Sequence, residues 1–316
     1  MAGQKMRAWL HRARVEGRDV LELVLLPGLA AVLPWRLCFA LFRRLSRWRW
    51  LYRQACEQAL QHARALGQVS SGDEARWLAA RRLVTLVDHA DYYLGRFRGD
   101  GWMRRHLDVS GAWPNGGEAA VLCTFHWGAG MWGLRHAAAA GMRAHALVAS
   151  LDKAHFKHRR VLGWYARART AEVTRALGRD ALDVSASLRP VIQVLRRSEQ
   201  VLAAVDVPSD EVSASEEIAL LGMRARVPRG LLRLAAEQRR PVVVYLTGLR
   251  YTDGRRFLRI HRLEVTHDLP RLMTQVFALL QEAMLEDGPA WHFWSEARRF
   301  FVLAQESEPA GAPAQG

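Results

Sequence analysis

The run Val121-Leu-Cys-Thr-Phe-His126-Trp-Gly128-Ala-Gly130-Met131-Trp-Gly-Leu-Arg135 holds one imidazole between an apolar stretch and a pair of glycines. Such a run predicts a buried strand ending at Phe125, a turn carrying His126, and a helix beyond Gly130. Ligands of open α/β sheets collect beyond the carboxyl ends of strands, so His126 lies where a general base would be useful. Imidazole, with its near-neutral pKa, suits proton abstraction from a hydroxyl or amine. A buried histidine bonded to backbone would produce the same pattern, and the motif alone does not separate the two.

The elements that must position His126 are legible around it. Candidate strands are Ala119–Phe125, Ala144–Ser150, Val201–Val205 and Val242–Thr247, with Leu258–Ile260 as a further one. Amphipathic helices fall between them. Ser187 can cap one whose Leu188, Val191, Ile192 and Leu195 follow helical spacing. Gly230–Gln238 is a second. Asp268 opens a third, with Leu269, Leu272, Met273, Val276, Leu279 and Leu280 on one face and Gly288-Pro289 ending it. Before the first strand, residues 54–110 read as helices, with Glu74–Leu94 the clearest and Gly95 a stop. Strand–helix alternation predicts an α/β fold, a sheet flanked by helices. The tail from residue 305 to 316 reads as disordered.

Composition sets the outer bounds. The 316 residues, half of them hydrophobic, suit a globular chain with a sizeable core. Cys38, Cys56 and Cys123 form no CxxC pair, which fits a reducing compartment. Cys123, in the strand before His126, reads as core packing. His155 and His158 are spaced HxxH without a further ligand at zinc-site spacing, so no metal is expected. The net charge of +15 favours an anionic partner.

That charge is concentrated. Residues 1–53 carry 11 Lys/Arg against 3 Asp/Glu. Within them Val20–Phe42 has only Glu22 and Arg36 charged over 23 residues, and Pro27 and Pro34 should kink or interrupt a helix there. Arg43, Arg44, Arg47, Arg49 and Arg53 follow, interleaved with Trp48, Trp50 and Tyr52. Arginines attract anionic headgroups, and tryptophan and tyrosine favour the membrane interface. An interfacial or partly inserted anchor is the expectation; a core helical hairpin with a solvated basic face is the alternative. Nucleic-acid binding would rest on charge alone, and charge beside an apolar segment fits lipid better. The organisation read from the sequence is a membrane-contact segment over 1–53, an α/β domain over 54–304, and the tail.

From about Leu21 to Phe301 the chain resembles the late acyltransferases of lipid A assembly, within the lysophospholipid acyltransferase superfamily. The order of blocks carries the likeness. These are the basic apolar amino-terminal segment, a helical stretch, the strand–His126–Gly turn and a basic helix around Arg159–Arg169. The segment VLAAVDVPSD around Asp206 follows, then Gly222…Pro228-Arg229-Gly230 and Trp294…Arg298-Arg299-Phe300. The resemblance implies a glycerolphosphate-acyltransferase-like mixed sheet with a helical N-terminal membrane-contact region. It implies acyl transfer from acyl carrier protein or acyl-CoA to a lipid A precursor or related glycolipid or aminolipid. No cofactor is implied beyond that donor, and the place implied is the cytoplasmic face of a bacterial inner membrane.

In the family a histidine is followed, after four residues, by an acidic residue that orients the ring. His126 matches the first position, and Met131 stands at the second. No Asp or Glu occurs from Ala119 to Leu151, so an orienting carboxylate must come from elsewhere in the chain. Asp206 is the first candidate, because the Val201–Val205 strand would deliver it to the edge that carries His126. Capping of the following turn is its alternative role. Asp210, Glu211, Glu216 and Glu217 crowd the same loop. Arg135 and Arg229 could donate to a phosphate or a developing oxyanion, or be surface ions. Arg167 and Arg169 could form a basic face for the carrier's acidic surface, or an exposed helix face. Met131 also opens a second functional reading: a catalytically degenerate relative that binds lipid or acyl carrier protein as an accessory protein.

Overall fold

The computed structural model describes residues 2–148, 156, 159–184 and 187–302. Its centre is a mostly parallel seven-stranded sheet. In chain order the strands are β1 (Leu107–Ser110), β2 (Val121–Thr124), β3 (Ala144–Val148), β4 (Leu182–Asp183), β5 (Gln200–Ala204), β8 (Val242–Leu249) and β9 (Arg256–Arg262). Across the sheet they run β1-β9-β8-β2-β5-β3-β4. Every neighbouring pair is parallel except the β8–β9 hairpin. Between β5 and β8 the chain forms a separate antiparallel hairpin, β6 (Ser215–Leu220) and β7 (Met223–Pro228). The four apolar runs predict the middle of the sheet. They do not predict edge strand β1, since residues 54–110 read as helical throughout.

The helices follow the connections. Helix α7 (Met131–Ala139) joins β2 to β3, α8 (Arg160–Leu177) joins β3 to β4, α9 (Arg189–Arg196) leads to β5, and α10 (Gly230–Glu237) leads to β8. From β2 the chain steps toward β4; from β4 it returns toward β8. Right-handed crossovers therefore set α7 and α8 on one face and α9 and α10 on the other. Adjacent strands β2 and β5 send their chains to opposite faces, a topological switch point of the kind at which open α/β sheets bind their ligands.

Asp268 caps α11 (Leu269–Glu286) as expected, accepting from Arg271 N at 3.0 Å. Ser187 stands one residue before the N-cap of α9, which is Leu188, and its Oγ accepts from Arg189 N at 3.1 Å. Helix α5 (Glu74–Phe97) runs through Gly95 rather than stopping there; the Gly95 carbonyl accepts from Arg135 Nη1 at 2.7 Å, so the helix end is tied down by a side chain. The short α6 (Asp100–Arg105) then leads into β1.

The amino-terminal segment is built onto this core. It comprises α1 (Ala2–Asp19), a π-helical turn (Val20–Leu25), α2 (Leu26–Val32), α3 (Trp35–Leu45) and, beyond a loop, α4 (Arg53–Ala65). Pro27 has no N–H for the carbonyl four residues back, Leu23, or five back, Glu22. Two tyrosine hydroxyls replace that donor: Tyr52 donates to Glu22 O and Tyr93 to Leu23 O, each at 2.7 Å. Pro34 separates α2 from α3, as expected. Trp35, Cys38, Phe39, Phe42 and Leu45 are buried in the same core as the sheet. Arg256 seals this join, fully buried between the rings of Trp35 and Trp132 and ion-paired to Asp91. Leu25, Val32, Leu37, Trp48 and Trp50 face outward. No helix among the described residues is long and apolar enough to cross a membrane.

Candidate active site

The β2–β5 register sets the site. Thr124 pairs with Ala204, and two residues further along each strand stand His126 and Asp206. His126 Nδ1 lies 2.9 Å from Asp206 Oδ1, and the His126 backbone N–H donates to both Asp206 oxygens at 2.9 Å. Trp291 Nε1 donates to Asp206 Oδ2 at 3.0 Å. Asp206 is buried, while the His126 side chain keeps 41% of its surface exposed. A carboxylate only accepts, so Nδ1 carries the hydrogen and Nε2 keeps its lone pair for an incoming proton.

Electrostatics favour that role. Burial disfavours the imidazolium, but the charge and hydrogen bond of Asp206 outweigh it, and the His126 pKa is raised above the ordinary histidine value. Asp88 adds to the rise and Arg169 opposes it. The ring is held from the side by Phe293, edge-on at 4.5 Å between centroids.

A strap from the carboxyl-terminal part of the chain locks this turn. The His126 carbonyl accepts from His292 N at 2.7 Å, and Gly128 N donates to Ala290 O at 3.0 Å. His292 Nε2 lies 2.8 Å from Gly128 O. Gly128 has φ +71°, and a Cβ there would sit 2.1 Å from Thr247 O; only glycine fits this turn. Gly130 has open space around its Cβ position, whereas a Cβ at Gly133 would strike the Tyr245 ring at 2.4 Å. The strap is in turn clamped by Arg81 of α5. Its guanidinium donates to Pro289 O at 3.0 Å, Trp291 O at 2.8 Å and His292 O at 2.9 Å.

The remaining expected residues are distributed as follows. Met131 is buried at the start of α7, so the position at which the resemblance implies an acid is a core position here. Arg135 does not reach toward the His126 turn; it is committed to Gly95 O and Asp100, because α7 directs it at the end of α5. Arg229, at the N-cap of α10, pairs with Glu216 at 2.9 Å. Arg167 is exposed. Arg169 is not part of an open basic face: it grips Asp88 of α5 with both guanidinium arms, at 2.5 and 3.0 Å. This pairing holds Asp88 below the usual carboxylate range despite burial. Asp210 and Glu211 pair with Arg299, and Glu217 with Arg226. Of the acidic residues in the Asp206 loop, Asp206 alone meets His126. His155 and His158 lie outside the described residues, as do Ala149, Ser150 and the 305–316 tail.

Trp291, Phe293 and Arg81 escaped sequence reasoning. Arg81 left a trace, a charge inside the apolar rhythm of Glu74–Leu94, which signals a buried partner. Trp291 left none, being separated from His126 by most of the sheet. No family model and no curated protein matches this chain.

Proposed function

We propose that the chain is a membrane-surface acyltransferase. It moves a fatty acyl group from an acyl carrier protein or coenzyme A thioester onto a lipid hydroxyl or amine, such as a lipid A precursor or related glycolipid or aminolipid. The observation that carries this reading is the relay Trp291–Asp206–His126, which ends in a half-exposed imidazole beyond the carboxyl ends of the adjacent strands β2 and β5.

In the proposed reaction Nε2 of His126 takes the proton of the acceptor hydroxyl as its oxygen attacks the thioester carbonyl carbon. Asp206 orients the ring and stabilises the imidazolium. The tetrahedral intermediate collapses with cleavage of the C–S bond, and the imidazolium returns the proton to the leaving thiolate. Ester and free thiol are the products. The resemblance described above supports the donor and acceptor classes, and with them a glycerolphosphate-acyltransferase-like fold. The outward apolar and aromatic residues of the amino-terminal helices, set among arginines, support contact with an anionic membrane. The cytoplasmic face of a bacterial inner membrane is the proposed location, with peripheral or N-terminal attachment. Nucleic acid has no part in this reading.

Met131 favours one other reading, an accessory protein that binds lipid or acyl carrier protein without chemistry. Purified protein given acyl carrier protein loaded with labelled fatty acid, and vesicles containing candidate acceptor lipids, separates the two. Labelled lipid with stoichiometric thiol release supports acyl transfer. Binding without turnover for every donor and acceptor supports the accessory role.

A further inference from the structure

Among the described residues, the hydrogen bonds from helix α1 to the start of α8 are made by its acidic residues. Glu16 accepts from the backbone N–H groups of Arg160 and Val161 at 2.6 and 2.9 Å, and Asp19 accepts from Arg159 Nη2 and Nε at 2.5 and 2.9 Å. This docking leaves the basic residues of α1 around an open cavity of about 560 Å³, lined by His11, Arg12, Arg14, Arg18, Gln54 and Arg159 with Val15. No carboxylate is in that lining. Arg12, Arg14 and Arg18 form no ion pair among the described residues, and Arg159 spends Nη2 and Nε on Asp19, so Nη1 has no partner there. A second cavity of about 270 Å³ shares Arg18, Gln54 and Arg159, adds Arg53 and Ser295, and is lined also by Asp19 and Glu22, so the anion site is the first cavity. Ser295 is two residues from Phe293, the ring packed on His126, so the second cavity links the arginine-lined one to the strap beside the candidate base.

Arg12, Arg14 and Arg18, lining one cavity without an ion pair among the described residues, suit an oxyanion with several acceptors, and the planar fork matches phosphate oxygens two at a time. The volume is within the range of small-ligand pockets, about 300–1,000 Å³. Met6, Trp9 and Leu10 on the preceding turns of α1 are exposed. Positions 6, 10, 14 and 18 follow one another at helical i, i+4 spacing, so an apolar stripe runs into the arginine cluster. We infer that the cavity between α1, α4 and α8 binds the phosphate group of an amphiphile, with Arg12, Arg14, Arg18 and Arg159 as its ligands. The inference specifies the anionic partner of the proposed acyltransferase, but binding alone reads it out, so it stands or falls separately from the chemistry at His126.

The full chain is tested for flotation with phosphatidylcholine vesicles containing about one quarter phosphatidylglycerol, and for calorimetric binding of glycerol 3-phosphate. Arg14→Gln/Arg18→Gln should weaken vesicle binding about tenfold or more. Arg233→Gln/Arg271→Gln, which removes the same charge from α10 and α11, should change it less than about twofold. Saturable binding of glycerol 3-phosphate, lost in the α1 variant, would assign a free phosphate. Binding confined to vesicles and lost in that variant would assign the headgroup. Equal losses in both double variants, or none in either, overturn the site. The α1 substitutions break no ion pair among the described residues, and circular dichroism checks that the variants are folded.

Discussion

Asp206→Asn is the perturbation with the sharpest expected consequence. Asp206 is buried and receives three N–H donors, two from His126 and one from Trp291. An amide of the same shape keeps an oxygen for some of them but presents an NH₂ group where the carboxylate had a second acceptor, and it carries no charge. For charge centres about 4 Å apart and an effective dielectric of about 20, the imidazolium loses about 4 kcal/mol. Solvent around the half-exposed ring trims this to about 2–4 kcal/mol, or about 30- to 10³-fold in rate. Loss of tautomer control deepens the effect, and an analogous change in a serine protease triad costs about 10⁴. The pH profile carries a second signature. Asp206 raises the His126 pKa and the base must be neutral, so the ascending limb of kcat/KM should move to lower pH in Asp206→Asn while the plateau falls. Acyl transfer from acyl carrier protein between about pH 5 and 9, with NMR titration of His126 in both proteins, checks it. A plateau within threefold of wild type, or an unshifted His126 titration, refutes the reasoning.

Trp291→Phe keeps an aromatic ring but deletes the donor to Asp206 Oδ2. A bond to a charged acceptor is worth about 1.5–3 kcal/mol, so kcat should fall about tenfold or more with KM little changed; steady-state kinetics separate the two. Met131→Glu puts a carboxylate in the core, and denaturant unfolding should show a loss of at least about 2 kcal/mol with no gain in transfer rate, since Asp206 already holds Nδ1. Burial lowers the pKa of His89 to about 3 and of His292 to about 4. The unfolded chain takes up protons near pH 6.5 that the folded chain refuses, so stability should drop as pH falls from about 6.5 toward 4, as thermal melts across that range would record. His126 has the opposite sign. Its raised pKa stabilises the fold below the unfolded value, and that contribution is lost as pH rises through the folded one. The stability gap between wild type and Asp206→Asn should therefore narrow from pH 6 to pH 9.

Apolar runs made the sheet legible. Strands β2, β3, β5 and β8 are buried in the sheet interior and read as continuous hydrophobic stretches, the expected mark of a covered parallel sheet. Strands β1, β6 and β7 mix charged and apolar residues, and their pairing, not their composition, makes them strands. His126 and Asp206 were legible because each follows a readable strand, and a shared sheet edge is a statement about topology that spacing alone can suggest. Trp291 was not, because its indole reaches Asp206 from a distant part of the chain; Arg81 showed only as a charge in an apolar rhythm, because the strap it clamps offers backbone carbonyls, which carry no residue identity. Arg135 and Arg169 were misjudged for a related reason. Their charge is plain in the sequence, but whether a carbonyl or an aspartate neutralises it is decided by how α7 and α8 pack against α5.

The central claim is that His126 takes the acceptor's proton, and its most direct measurement is the rate of acyl transfer by His126→Gly with and without added imidazole. The glycine variant keeps the backbone N–H that bonds Asp206 and leaves room at a ring position open to solvent. The account predicts a loss of about 10²–10⁴ in kcat with partial recovery as imidazole is added. A glycine variant as fast as wild type would contradict it.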